Sequence, residues 1–225
     1  MAKITDSRIV RSRRRTLALV ITPDARLEIR APLRMPAEFI KAFIDKKSLW
    51  ISRKLAEVSA RPKPPVIEFT DGEEFLYLGS AYRLSIVDDA DLPFSFERGF
   101  RLARPHQAFA KELFVQWYRQ EALITIKERL ALRSSSSGIR YNSFSITSAR
   151  SRWGSCSGNG DLRFSWRLMM APLHVVDYVI AHELAHINRK DHSKEFWKRV
   201  ADLFPGYGES AKWLKGNGHL LTGIL

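Results

Sequence analysis

His182-Glu183-Leu184-Ala185-His186 is the stretch on which the reading of this chain turns. Residues four apart on a helix project from nearly the same face, so both imidazoles can reach one cation. Glu183 projects to one side of the first, where its carboxylate can take a proton from a metal-bound water instead of binding the metal. Catalytic zinc keeps three protein ligands and one open position, so a third ligand must come from outside this turn. His192 is the candidate. A straight helix would carry it off the face, but a bend over 188–191 would swing it back, with Asn188 as a left-handed residue and Ser193 capping a further helix that has Glu195 in its first turn. The bland alternative, a helix with two surface histidines, fits poorly with Val179, Ile180 and Leu184. Those residues predict a buried helix, in which unpartnered histidines and a glutamate would be costly.

Working outward, Pro172 precedes this helix and its apolar residues begin at Val175 and Val176. Upstream, 144–152 and 161–166 read as two strands joined by the turn-rich 154–160. Phe109, Leu113, Trp117, Ala122, Ile126 and Leu130 suit a long amphipathic helix over 106–133, ended by the serine run 134–137 and Gly138, which reads as a loop. Residues 75–87 read as strand, turn, strand. Leu17 and Leu19 alternate before Pro23-Asp24, and Leu27 and Ile29 after it, predicting a hairpin. One helix is predicted from Pro36 to about Val58, before the prolines of 61–65 force an extended connection. The fold class is therefore α+β, with a β-rich part containing one helix over 1–103 and a catalytic domain over 104–225.

The chain of 225 residues carries 37 Lys and Arg against 24 Asp and Glu, a formal net charge of +13. Such a field attracts polyanions, so nucleic acid is a candidate partner, although no dedicated nucleic-acid motif is present. Part of the charge lies in Arg11-Ser12-Arg13-Arg14-Arg15. The single cysteine, Cys156, leaves no internal disulfide framework, and neither a secretory leader nor a membrane-spanning apolar run is evident. The expected location is the cytoplasm. No internal repeat is visible, and the oligomeric state is open.

The resemblance to a known family rests on five blocks: 152–157 (RWGSCS), 163–168 (RFSWRL), Pro172, 177–186 (DYVIAHELAH) and 192–197 (HSKEFW). Together they strongly resemble the YgjP-like metallopeptidase family, relatives of the SprT-like zincins, most densely over 141–197. The resemblance implies a zincin-like catalytic domain, Zn2+ bound by His182, His186 and His192, and Glu183 as general base. It also implies that the strand around 150–156 lies beside the metal as an edge to which an extended peptide could add. Arg152, Trp153 and Trp166 could equally be surface and core residues without a part in the chemistry.

Cys156 reads as a small packed residue in preference to a fourth ligand. Asp177 could orient His182 or simply favour the first helical turn. Tyr141 and Tyr207 are candidate oxyanion stabilisers, while His106, His174 and His219 have no ligand spacing. The leading reading is a zinc-dependent peptidase acting on peptides or proteins. A metal-dependent nucleotide phosphohydrolase and a nucleic-acid-associated protease or binding protein are the alternatives.

Overall fold

The alternation around Leu19 and Ile29 is realised as a hairpin in the computed structural model, which describes residues 7–22, 24–62, 66–88 and 91–223. Pro23, assigned to the hairpin turn, and residues 63–65 of the proline-rich connection lie outside these. The chain divides into two units, 1–63 and 64–225.

In the first unit, β1 (Arg8–Ser12), β2 (Ala18–Ile21) and β3 (Leu27–Pro32) form a sheet in the order β1-β3-β2. Leu19 lies opposite Ile29, as the alternation requires. The parallel strand β1 is a correction, because the arginines around it hide a short extended segment. Arg11 has a structural use: its Nη1 donates to the carbonyls of Leu33 at 3.0 Å and Met35 at 2.7 Å. Two helices follow where one was predicted, α1 (Ala37–Lys46) and α2 (Ser48–Ser59), broken at Lys47 with φ −105° and ψ 10°. The apolar series Ile40, Ile44, Ile51 and Leu55 runs through this break, so periodicity alone does not reveal it. Ile40 and Ile51 complete a small core with Leu27, Ile29 and Ala31.

The second unit opens with β4 (Glu74–Tyr77), β5 (Ser80–Val87), β6 (Phe94–Phe96) and β7 (Phe100–Ala103), ordered β4-β5-β7-β6. These strands share one core with everything that follows. Phe75 and Phe100 lie with ring centroids 4.2 and 4.9 Å from Phe114 on α3 (Ala110–Ser137). The division at 63/64 therefore replaces the expected one at 103/104: strands this rich in aromatic residues must bury one face, and the surface available to them is α3.

Helix α3 buries every fourth residue from Ala110 to Leu130. It also continues through the serine run predicted to be a loop. There Ser137 Oγ donates to Arg133 O at 2.7 Å and Ser134 Oγ to Ile139 O at 2.5 Å, satisfying carbonyls near the helix end before Gly138 stops it at φ +67°.

Strands β8 (Ser143–Thr147), β9 (Gly154–Cys156) and β10 (Asp161–Ser165) form a second sheet, ordered β8-β10-β9. The two predicted strands are parallel neighbours, and the hairpin partner of β10 is β9, inside the segment read as a turn. Helices α4 (Leu173–Asn188), α5 (Lys194–Leu203) and α6 (Tyr207–Gly223) complete the unit. The β4–β5 turn bears directly on the start of α4. Leu78 N donates to Met169 O at 2.7 Å, and a Cβ at Gly79 would lie 2.7 Å from Pro172 Cγ. Gly79 also has φ +85°, so both its conformation and its neighbour require the missing side chain.

Candidate metal centre

From Val175 to Ala185 every residue of α4 except His182 is buried, so the helix runs through the core and its polar residues need partners. A bidentate ion pair from Arg129 on α3 holds Asp177, with Arg129 Nε 2.6 Å from Asp177 Oδ1. Asp177 thus clamps two helices together and does not orient His182, whose Nδ1 is buried without a hydrogen-bond partner among the described residues.

Helix α4 ends at Asn188, and the chain turns through Arg189, which is extended with φ −134° and ψ 109°. The reversal thus falls within the predicted 188–191, but Asn188 is not among the left-handed residues and stays in the helix, the extended Arg189 making the turn instead. The Arg189 carbonyl lies 2.8 Å from His186 Nδ1, which fixes that ring with Nδ1–H as donor and leaves Nε2 free as an acceptor. Lys190 anchors the connector to the β9–β10 turn, its Nζ donating to Ser157 O at 2.8 Å and lying 3.3 Å from Cys156 Sγ. Ser193 then caps α5, its Oγ accepting from Phe196 N at 3.4 Å. This is the capping role the sequence predicted.

The reversal brings His192 back to the α4 face. Ligand atoms of His182, His186 and His192 all lie within 4.8 Å of one another, and the two Nε2 atoms of His182 and His192 are 3.3 Å apart. Burial first, and then the neighbouring imidazoles, push the His182 pKa down to about 4, so this ring is neutral at physiological pH. His186 is lowered in the same direction, chiefly by burial. Cys156 is not part of the cluster.

Phe196 is the residue that sequence reasoning missed. Fully buried on α5, it touches all three imidazoles, with ring centroids 4.9 Å from His182, 4.4 Å from His186 and 4.8 Å from His192. The Ser193 cap supplied the signal, since it places Phe196 within the first turn of α5, beside His192. Trp197 adds a second wall 5.7 Å from His182 and stacks on Tyr207. Tyr207 therefore sits one ring away from the cluster, whereas Tyr141 packs against the main core and makes no ring contact or hydrogen bond to it.

Glu183 is 5% exposed, and burial pushes its carboxyl up to about 8. Its Oε2 has no hydrogen-bond partner among the described residues. The carboxylate lies against β9, where a Cβ at Gly154 would come within 2.6 Å of both Cγ and Oε1. Trp166 is a core residue stacked 5.7 Å from Tyr118, while the half-buried Trp153 rests against α6, where a Cβ at Gly218 would approach it to 2.9 Å.

His106, His174 and His219 stand outside the cluster. No described helix is long and apolar enough to cross a membrane.

Comparison with curated proteins and with solved structures gives no significant match. The model of the YgjP-like metallopeptidase domain matches residues 15–217, most of the chain and well beyond the densely similar segment. A buried helix presenting two imidazoles, a returning third imidazole and an adjacent strand make up an α+β, zincin-like architecture, and the chain belongs to the YgjP-like family of metallopeptidases.

Proposed function

We propose that the protein is a zinc-dependent peptidase in which His182, His186 and His192 hold the ion and Glu183 takes the proton from the attacking water. The observation that carries this reading is the convergence of the three imidazoles beside a buried carboxylate with a free oxygen. One donor pair matches the ion closely, and the full set of three lies within 4.8 Å. Tetrahedral zinc with bonds of about 2.0–2.1 Å to nitrogen requires donors about 3.3–3.4 Å apart. The two Nε2 atoms of His182 and His192 are 3.3 Å apart. With the ring protons on the Nδ1 atoms, both Nε2 lone pairs would be available to one cation held between them.

Zinc held there would supply Lewis acidity, polarising a carbonyl and making water acidic enough to ionise near neutral pH. The remaining work falls to the chain. Glu183, whose basicity burial raises, is suited in its ionised form to accept a proton and then to return it to the leaving amine. Gly154 leaves room for that carboxylate, and edge strand β9 offers main-chain groups to an extended substrate alongside it. Phe196 restricts the three rings, lowering the entropy lost on closing around an ion.

The family match favours peptide hydrolysis over the phosphohydrolase alternative and does not support a nucleic-acid partner. The test compares peptides released from a digested proteome by the parent and by Glu183→Gln, both loaded with zinc and checked for metal content. Zinc retention with a loss of cleavage of about 100-fold or more is the expected result. Equal cleavage by the two proteins would overturn the role of Glu183, and absence of zinc from the parent would overturn the metal site.

A further inference from the structure

At Gly154 and Ser155 of β9 lies a cavity of about 210 Å³, with Thr147, Arg152, Trp153 and Arg163 among the other residues that line it. Its position follows from the register of the sheet. Arg163 on β10 lies opposite Ser155 on β9, and Phe164 lies opposite Gly154. Side chains alternate between sheet faces, so the buried Phe164 belongs to the core side, and Arg163 and Ser155 belong to the outer side. Arg152 approaches the same hollow from the segment leading into β9.

Both arginines are exposed, and neither forms an ion pair among the described residues. Arg163 does exert an electrostatic pull on Asp161, whose oxygens are held by Asn142 Nδ2 at 2.6 Å, Ser143 Oγ at 2.8 Å and Ser157 Oγ at 3.0 Å. Two guanidinium groups thus line a polar hollow without a direct ion pair among the described residues, next to the strand residue that abuts Glu183.

We infer that this hollow is a specificity subsite for a carboxylate side chain, so that the enzyme selects peptides with Asp or Glu within about two residues of the cleaved bond. The inference rests on the proposed peptidase function. A peptide added to the β9 edge projects alternate side chains toward the face that carries Ser155 and Arg163. One residue of strand spans about 3.3 Å, so a side chain beside Ser155 is one or two residues from the bond facing Glu183. Guanidinium is suited to planar, bidentate capture of carboxylate, and Trp153 supplies an apolar wall for the methylenes of Glu.

The test uses zinc-loaded full-length protein with matched peptides that carry Glu or Gln at one position, each with a free or an amidated C-terminus. Cleavage is read as kcat and KM. Binding is read separately by fluorescence anisotropy of labelled peptides on Glu183→Gln, which keeps the subsite measurable without turnover. The expected result is that Glu peptides bind and are cleaved about tenfold better than Gln peptides, whichever C-terminus is present. Arg152→Ala/Arg163→Ala should bring that ratio to one, mainly through KM, and Arg152→Glu/Arg163→Glu should invert it in favour of the Gln peptides. Arg101→Ala, on β7, controls for general positive charge and should leave the ratio unchanged.

Equal binding of Glu and Gln peptides to the parent site overturns the subsite, as does a preference that persists in the double alanine variant. A preference that disappears on amidation reassigns the hollow to a terminal carboxylate and likewise overturns the inference. Selective binding without cleavage by the parent would sink the peptidase function and leave the subsite standing.

Discussion

Gly154 leaves no room for a methyl group beside Glu183: a Cβ built on the glycine would stand 2.6 Å from the glutamate Cγ and Oε1. Strand β9 thereby sets the position of the buried carboxylate from the side opposite its own helix. Gly154→Ala should fold and keep its metal but displace the carboxylate, lowering peptide cleavage by about 100-fold. Metal analysis and turnover on the same preparation check this, and unchanged turnover would show that the two elements yield freely to each other.

Removing the ion should be visible in stability as well as in activity. Binding to the folded state at 1,000 times Kd adds about 4 kcal/mol. A chelator should therefore lower Tm reversibly, and returned zinc should restore it. His192→Ala should weaken this response, because two donors from α4 remain and the third is lost. A chelator-insensitive Tm in the metal-loaded parent would contradict the site.

Phe196 packs on all three imidazoles, so its truncation should affect both packing and metal affinity. Phe196→Ala should cost about 3–5 kcal/mol, with Phe196→Leu recovering much of that. Zinc affinity, measured against a competing chelator, should fall more in the alanine variant. Equal affinity in both variants would mean that Phe196 supports the fold without restraining the rings.

Arg129 and Asp177 form a bidentate pair between α3 and α4. Arg129→Met leaves the carboxylate buried and unpaired and should cost about 3 kcal/mol in urea unfolding. The double change Arg129→Met/Asp177→Leu should restore much of the loss, since the charge is then gone too. A double variant as unstable as the single one would place the cost in packing.

Asp161 supplies a pH-dependent term. Hydrogen bonds from Ser143, Asn142 and Ser157 hold its pKa below the ordinary value of 3.8. A depressed folded pKa gives stability that is present above the unfolded pKa and lost as pH falls through the folded one. The parent should thus exceed Asp161→Asn in Tm at pH 6, and the gap should close as the pH falls below about 4. A gap of constant size down to pH 2 would contradict the assignment.

Much of the candidate centre's geometry is visible in the sequence because it is local. The spacing of His182 and His186, the apolar run from Val175 and the Ser193 cap are all short-range signals, and each corresponds to a feature of α4 or α5. The elements that were misread depend on partners distant in the chain. Strand β1 gains its identity from β3, and β9 from β10. The serine run becomes helical because its hydroxyls cap nearby carbonyls, which composition does not encode. The boundary at 63/64 depends on whether the strands after it pack onto α3, and only tertiary contact decides that. Phe196 resembles any core aromatic until three histidine rings are found around it.

The seat of Pro172 on the β4–β5 turn makes α4, the helix that carries His182, Glu183 and His186, sensitive to a remote position. Any side chain at residue 79 would act as a shim under the first turn of α4. Because α4 is enclosed along most of its length, the thrust would be passed along its axis instead of being absorbed locally. His182, His186 and Glu183 would then travel together while His192, on its separate connector, stayed behind, so a change far from the chemistry would misalign it without touching any reacting group.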